Sequence, residues 1–583
     1  MKRFTYLALF LVLGVLFTLR GQSFAQGNDT LVIYATPITI SLDSVINHDQ
    51  AQATHHHVYV LASADTPYAF VSGVVVNDNV TIVGKLGTNG RPPCVEPDPS
   101  TSLPTAHDHL FTFTKNGSVV ILKNLYLLGI ATDGSINEGD GFGVTVNGDS
   151  IHLIVNNVVF EQWSQFAINY SGNWDKLTIT NTEFRNLVNP GSDYTGEAIR
   201  FRNDLNRDPQ DSVVIKDCTF LGINGYVACV GVTGYIRLID FEHNTVVGVY
   251  KNPFFSMNAT NWINQHNIYY AAYAGGMANG EYPWWDRIWA PGAGAVIDLD
   301  TLNKPIAGAF GIDTSASNWV SVAEAARNIQ ISDNIYFMPA SITSYVTAWD
   351  DTAHGLDSIY TCGWINAYTE AMFANHSNFH ANGNLVGTDP GYGAGIIAMI
   401  GATGTTVPSG DGIGLLPWLM ESRTSGDVAT QFWGYQQAIP DFSSGNWEPT
   451  WPLPEATSND LKYSASLTAT DGQYYGDTRW FGVPLGVKPL PQSVPAEFQL
   501  SNNYPNPFNP STNISFTVDN NGPASLKIYN LLGQLVMTVY EGNAQVHQAY
   551  SFNVNMDRFA SGVYFYTLQQ ASNSITKKLL LLK

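Results

Sequence analysis

The chain has 583 residues, of which only 13% are charged, and a formal net charge of −21. That length accommodates several ordinary domains, or one long repeat array with appendages. The acidic balance argues against nucleic acid or anionic membrane as partners, and it would repel an acidic polysaccharide unless cations or a local basic strip intervene.

Residues 1–25 read as a secretory signal. Lys2 and Arg3 precede an apolar run from Tyr6 to Leu19, and Ser23 and Ala25 supply small residues before a cleavage point at Gln26. No other stretch approaches about 18 consecutive apolar residues, so no transmembrane span is expected in the mature chain. Residues 26–80, with the alternating LVIYATPITISL, read as an N-terminal strand region capping the first turn of a repeat. His55, His56 and His57, with His107, Asp108 and His109 further on, invite a metal-site reading. Consecutive side chains on an extended chain alternate faces, so at most two of the first three converge; surface or loop histidines are the expectation. Cys94, Cys218, Cys229 and Cys362 match no zinc spacing. Cys218 and Cys229 could pair across one turn, or all four could be buried thiols.

From residue 81 to 345 one pattern recurs: alternating apolar residues, then Asn or Asp, then two positions, then an apolar residue. It centres on Asn124, Asn157, Asn181, Asp217, Asn244, Asn267 and Asn334, at intervals of 23 to 36 residues and finally 67. A period in the twenties with inserted loops marks a solenoid, and the alternation marks half-buried strands. Stacked turns share one core that no turn could bury alone. Asn tolerates the left-handed region needed at a corner, and stacked amides can form a ladder there. In these features the chain resembles the right-handed parallel β-helix of the pectate-lyase-like superfamily. The expected fold class is therefore all-β: a right-handed parallel β-helix solenoid followed by a small Ig-like β-sandwich.

Two insertions carry the candidate chemistry. The first, after Asn181, holds Glu197, Arg200, Arg202 and Arg207 in an otherwise base-poor chain. The resemblance implies that a lyase would use an arginine here to abstract the proton α to a uronate carboxylate, with calcium neutralising the carboxylate. Arg200 and Arg202, two apart on a strand, share a face and are the candidate catalytic pair. The plainer reading pairs them with Glu197, Asp204 and Asp208. The second insertion, NGEYPWWDRIWAPG, places Trp284, Trp285 and Trp289 together; they are candidates for stacking on sugar rings or for packing the insertion down.

Residues 346–481 read as last turns and a C-terminal cap, with a short helix in INAYTEAMFANHSNF. Within them, ATDGQYYGDTRWFG resembles the closing segment of β-helix proteins ahead of bacterial sorting domains. Residues 482–495, GVPLGVKPLPQSVP, form a Pro-rich linker. Residues 496–583 alternate like the strands of a small β-sandwich. NYPNPFNPST, KIYNLLGQ, ASGVY and the basic terminus closely resemble the type A C-terminal sorting domain of the type IX secretion system. Asn503, Pro505, Pro507, Phe508, Gly533, Gly562, Tyr564, Lys577 and Lys578 carry that likeness. It implies a partner in the type IX machinery, and export through the periplasm to the cell surface or medium. The expected function is binding or processing of an extracellular polysaccharide, with calcium as a possible cofactor; the alternative is a non-catalytic adhesin, coat or matrix protein.

Overall fold

The computed structural model describes residues 29–35, 41–98, 109–130, 141–189, 195–201, 209–230, 234–255, 258–274, 277–279, 295–299, 301–302, 304–309, 311–348, 357–360, 363–393, 395–396, 400, 451–453, 456, 460–462, 467–469, 471–481, 499–500, 508, 510–518, 520–531, 533–544, 550–571 and 573–582. The chain divides into two units, Met1–Gly482 and Val483–Lys583.

The first unit is mostly β, with a 19-stranded and a seven-stranded parallel sheet. The strands fall into three columns. The first runs through Thr30–Ile33, Val58–Leu61 and Val80–Gly84 to Asn328–Ser332 and Phe379–His380. The second runs from Tyr68–Phe70 through Glu183–Leu187, Thr219–Ile223 and Thr245–Val249 to Leu385–Val386. Val119–Leu128 and His152–Glu161 bend at their middles and serve both columns. The third is the seven-stranded sheet, from Val74–Val76 to Phe254–Phe255. The chain visits the columns in constant order: Lys176–Thr180, then Glu183–Leu187, then Glu197–Arg200, then back to Pro209–Lys216.

Alternation along each strand sends one side chain in two to a shared core. Leu177, Ile179, Val213 and Ile215 fill it from the first column and Ile168, Tyr170 and Ile199 from the third. From the second, Phe160, Phe184 and Phe220 stack in register, with ring centroids 4.9 and 5.0 Å apart. That spacing is the separation of neighbouring strands, so identical residues at one register position stack face to face.

The stacking begins earlier than the sequence suggests. Thr30–Ile33 already pairs with Val58–Leu61, so the first parallel strand lies ahead of residue 81. Of the alternating stretch that starts there, Leu31–Ile33 belong to this strand and Leu42 opens the helix Leu42–Gln50, which buries Leu42 and Ile46 one turn apart. The helix closes the open edge of the third column, where Asn47 Oδ1 accepts the Val75 N–H at 2.9 Å and Asn47 Nδ2 donates to the Gly73 carbonyl at 2.9 Å. The long gap before Asn334 contributes helices Lys304–Ala309 and Trp319–Ala325. The helix expected in INAYTEAMFANHSNF is Ala367–Asn375, capped by Asn366, whose side chain accepts the Thr369 N–H at 2.8 Å.

In the second unit, sheets of three and four antiparallel strands enclose one apolar cluster that includes Ile514, Phe516, Leu526, Tyr566 and Leu579.

Candidate functional site

The corner between the first and second columns is one left-handed residue per turn. Asn124, Asn157, Asn181 and Asp217 occupy it, with φ between 51° and 55°. Further along, His243, His266, Asp333 and Gly383 take the same place. Asn244, Asn267 and Asn334 sit one residue later, facing inward and fully buried. The seven candidate ladder residues thus divide between two adjacent register positions. The buried set makes the continuous amide ladder. Asn244 Oδ1 accepts the Cys218 N–H at 3.0 Å, and Asn267 Oδ1 accepts from both the backbone and side chain of Asn244. Asn334 repeats this toward Asn267, and Asn384 toward Asn334. Among the corner residues, Asn157 Nδ2 donates to Asn124 Oδ1 at 2.9 Å. Asn384 is a ladder residue that the sequence reading passed over. Its signal was present: Asn384-Leu385-Val386 repeats Asn267-Ile268-Tyr269 and Asn334-Ile335-Tyr336.

Arg200 lies in the third column, aligned with Asn169 and Cys229. Its Nη1 is 3.7 Å from Glu197 Oε1, and its guanidinium lies 4.2 Å from the centroid of the Phe166 ring. It is therefore held by a carboxylate and an aromatic face, the geometry of a positioned cation rather than of a proton acceptor. Arg202, Trp284, Trp285 and Trp289 fall outside the described residues. Beside Arg200, at a different register position of this column, His109, Phe142, Phe166 and Glu197 are aligned on successive strands. The His109 and Phe142 rings stack at 4.4 Å, and Phe142 meets Phe166 edge-on at 5.0 Å.

The outward side of the second column is covered by the chain itself. Asp477 accepts the Thr219 hydroxyl at 2.7 Å, Trp480 Nε1 donates to Thr219 Oγ1 at 2.7 Å, and the Asp477 N–H donates to Thr245 Oγ1 at 2.9 Å. Arg479 pairs with Asp477 and donates to the carbonyls of Asn181 and Thr182. Tyr475 and Trp480 join Leu221, Val247, Ile268 and Tyr270 in a second apolar cluster. This part of the segment ATDGQYYGDTRWFG lies along the side of the stack, against the second column. Nearby, Glu161 and Arg185 are fully buried; Glu161 accepts from Asn186 Nδ2 at 2.7 Å and from the Tyr126 hydroxyl. Burial first, and the Glu161 charge beside it, hold the Tyr126 hydroxyl protonated well above its ordinary range.

Cys94, Cys218 and Cys229 are buried, and Cys362 falls outside the described residues. Burial pushes the Cys218 thiol far up, so it is inert. Among the described residues, one set of His, Cys, Asp or Glu donors is close enough to share an ion: His55, His57 and Asp78. Two imidazoles and one carboxylate do not make the oxygen cage that calcium takes, and among the described residues no other such set lies beside Arg200. No helix among the described residues is long and apolar enough to cross a membrane.

In the C-terminal unit the motif residues serve the fold. Phe508 is buried, and its backbone bonds Leu580 of the last strand and Leu582 just past it. Gly533, at φ 75°, closes the turn in which Asn530 and Gln534 exchange hydrogen bonds. Tyr564 donates its hydroxyl to the Ala560 carbonyl at 2.8 Å, just ahead of its own strand, Gly562–Gln570. Lys577 and Lys578 lie on the final strand, Asn573–Leu581. Asn503, Pro505 and Pro507 fall outside the described residues.

Residues 502–582 match the family described as secretion system C-terminal sorting domain. The chain is therefore handled by the type IX secretion machinery and exported to the cell surface or extracellular medium. No curated protein matches the chain. The sorting domain accounts for the second unit; the first unit is what it delivers.

Proposed function

We propose that the three columns are the faces of a right-handed parallel β-helix, pectate-lyase-like in architecture, and that it binds an extracellular polysaccharide without cleaving it. The constant column order supports the coil, since parallel crossovers are right-handed almost without exception. The proposed domain limits follow: 26–80 as first turns and cap, 81–345 as β-helix, 346–481 as last turns and lateral cover, 482–495 as linker, and 496–583 as an Ig-like sorting sandwich.

One observation carries the binding reading. His109, Phe142 and Phe166 form an aligned row ending at Glu197, with the Arg200 guanidinium over Phe166; His109, Phe142 and Arg200 are half-buried, and Phe166 and Glu197 are buried. Aromatic faces accept the C–H surfaces of sugar rings, and the charged end offers hydrogen bonds or a carboxylate partner. The tie of Arg200 to Glu197 disfavours it as the base of a lyase. Trp284, Trp285 and Trp289 would extend the surface from their insertion.

The test is a glycan array followed by titration of the best ligand. Phe142→Ala should weaken binding by about 1–2 kcal/mol, as for other aromatic platforms. An assay for unsaturated products, with and without calcium, should remain blank. Turnover abolished by Arg200→Ala would restore the lyase reading. An absence of glycan binding would leave the coat or matrix role, which the covered second column favours.

A further inference from the structure

We infer that the N-terminal end of the parallel stack holds a divalent metal site of the zinc class, with His55, His57 and Asp78 as ligands. Asp78 Oδ2 lies 3.3 Å from His55 Nε2 and 3.6 Å from His57 Nε2, and the three donor atoms are all within 4.8 Å of one another. Tetrahedral ligands on bonds of about 2.0 Å stand roughly 3.3 Å apart, so both histidine–carboxylate spacings already suit an ion.

The other ring nitrogens support the assignment. His57 Nδ1 lies 2.6 Å from Asp29 Oδ1, and His55 Nδ1 lies 3.3 Å from the Gln52 carbonyl. An acceptor at Nδ1 keeps the proton there and leaves the Nε2 lone pair for the metal. This carboxylate–histidine or carbonyl–histidine support is typical of metal ligands. His56 takes the opposite direction, as alternation demands: its Nδ1 is 2.8 Å from Asp49 Oδ1. Lys115 Nζ occupies the remaining oxygen of Asp78, so the carboxylate would bind through Oδ2 alone. Two imidazoles and one carboxylate oxygen leave a fourth position for water, and this nitrogen-rich set selects zinc over calcium or magnesium.

The site also has a place in the fold. Asp29, His57 and Asp78 each stand just ahead of a strand of the first column, and those three strands pair in succession. An ion there would cross-link the starts of successive turns where the stack begins, the end most open to fraying.

The test uses the purified full chain, stripped with chelator and titrated with Zn²⁺ and separately with Co²⁺. One ion per chain is expected, with the intense visible bands of four-coordinate Co²⁺ and a rise in melting temperature on zinc addition. His55→Ala, His57→Ala and Asp78→Asn should each weaken binding more than about tenfold, and Asp29→Asn should weaken it about tenfold through His57. His56→Ala should bind like the parent. Absence of stoichiometric binding by the folded parent would overturn the assignment, whatever the variants do. Equal loss in His56→Ala would also overturn it.

Discussion

At the scale of single residues, the corner shows how one position decides a side chain's worth. Asn181 turns the chain at φ 51°, whereas Asn267, one register position further in, is buried and bonded to Asn244, Phe241 and Asn334. Asn267→Leu should destabilise the first unit by about 3 kcal/mol, because it strands buried donors and acceptors on both neighbouring turns. Asn181→Gly should change stability by less than about 1 kcal/mol, since glycine also accepts the left-handed region. Equilibrium denaturation of the two variants checks the contrast. Asp43 is a second case: its carboxylate accepts the N–H groups of Val71 and Ser72 at 3.0 Å and the Ser72 hydroxyl at 2.7 Å. Burial raises its pKa, but hydrogen bonds from Ser41, Ser72 and Val71 outweigh that and hold it below the ordinary 3.8. A carboxyl depressed in the folded state stabilises fully above its ordinary value and loses that contribution as pH falls through the folded one. The parent's melting temperature should therefore drop below about pH 4 more steeply than that of Asp43→Asn. Superimposable profiles would contradict this.

At the scale of elements, the lateral segment around Asp477–Trp480 is the informative piece. Asp477 is fully buried and neutralises Arg479, which in turn holds two corner carbonyls. Asp477→Ala leaves that guanidinium without its counter-charge and should destabilise by about 3–5 kcal/mol. Hydrogen exchange should rise first on Thr219–Ile223 and Thr245–Val249, the strands this segment covers. Rise confined to the third column would mean the cover is not coupled to the second. This element was half legible. ATDGQYYGDTRWFG announced a closing role, but its partners are Thr219 and Thr245, more than 230 residues earlier, and no local pattern encodes that reach.

At the scale of the whole molecule, the two units form separate apolar cores, one running through the parallel columns and one confined to the sorting domain. Removing residues 496–583 should leave the first unit folded but trapped in the periplasm of a type IX-competent host. Fractionation of cells and medium checks this; a truncated chain that still reaches the surface would refute the sorting role. Phe508→Ala, buried against the last strand, should unfold the sorting unit by about 3 kcal/mol while leaving the first unit's transition in place.

By itself the sequence determined the parallel stack and the export tail. Period-two alternation repeated every 23 to 36 residues permits little else, and the tail motif is local. It could not say which of two neighbouring residues faces inward at each corner, because a slip of one residue exchanges the faces and both positions accept Asn. Tertiary structure alone decided that Asn244 lies behind His243, that Arg200 is taken by Glu197 and Phe166, and that the closing segment lies along the second column. It also decided that His55 and His57 meet Asp78. Those contacts join side chains on different turns, and their distances depend on strand register across the stack rather than on spacing along the chain.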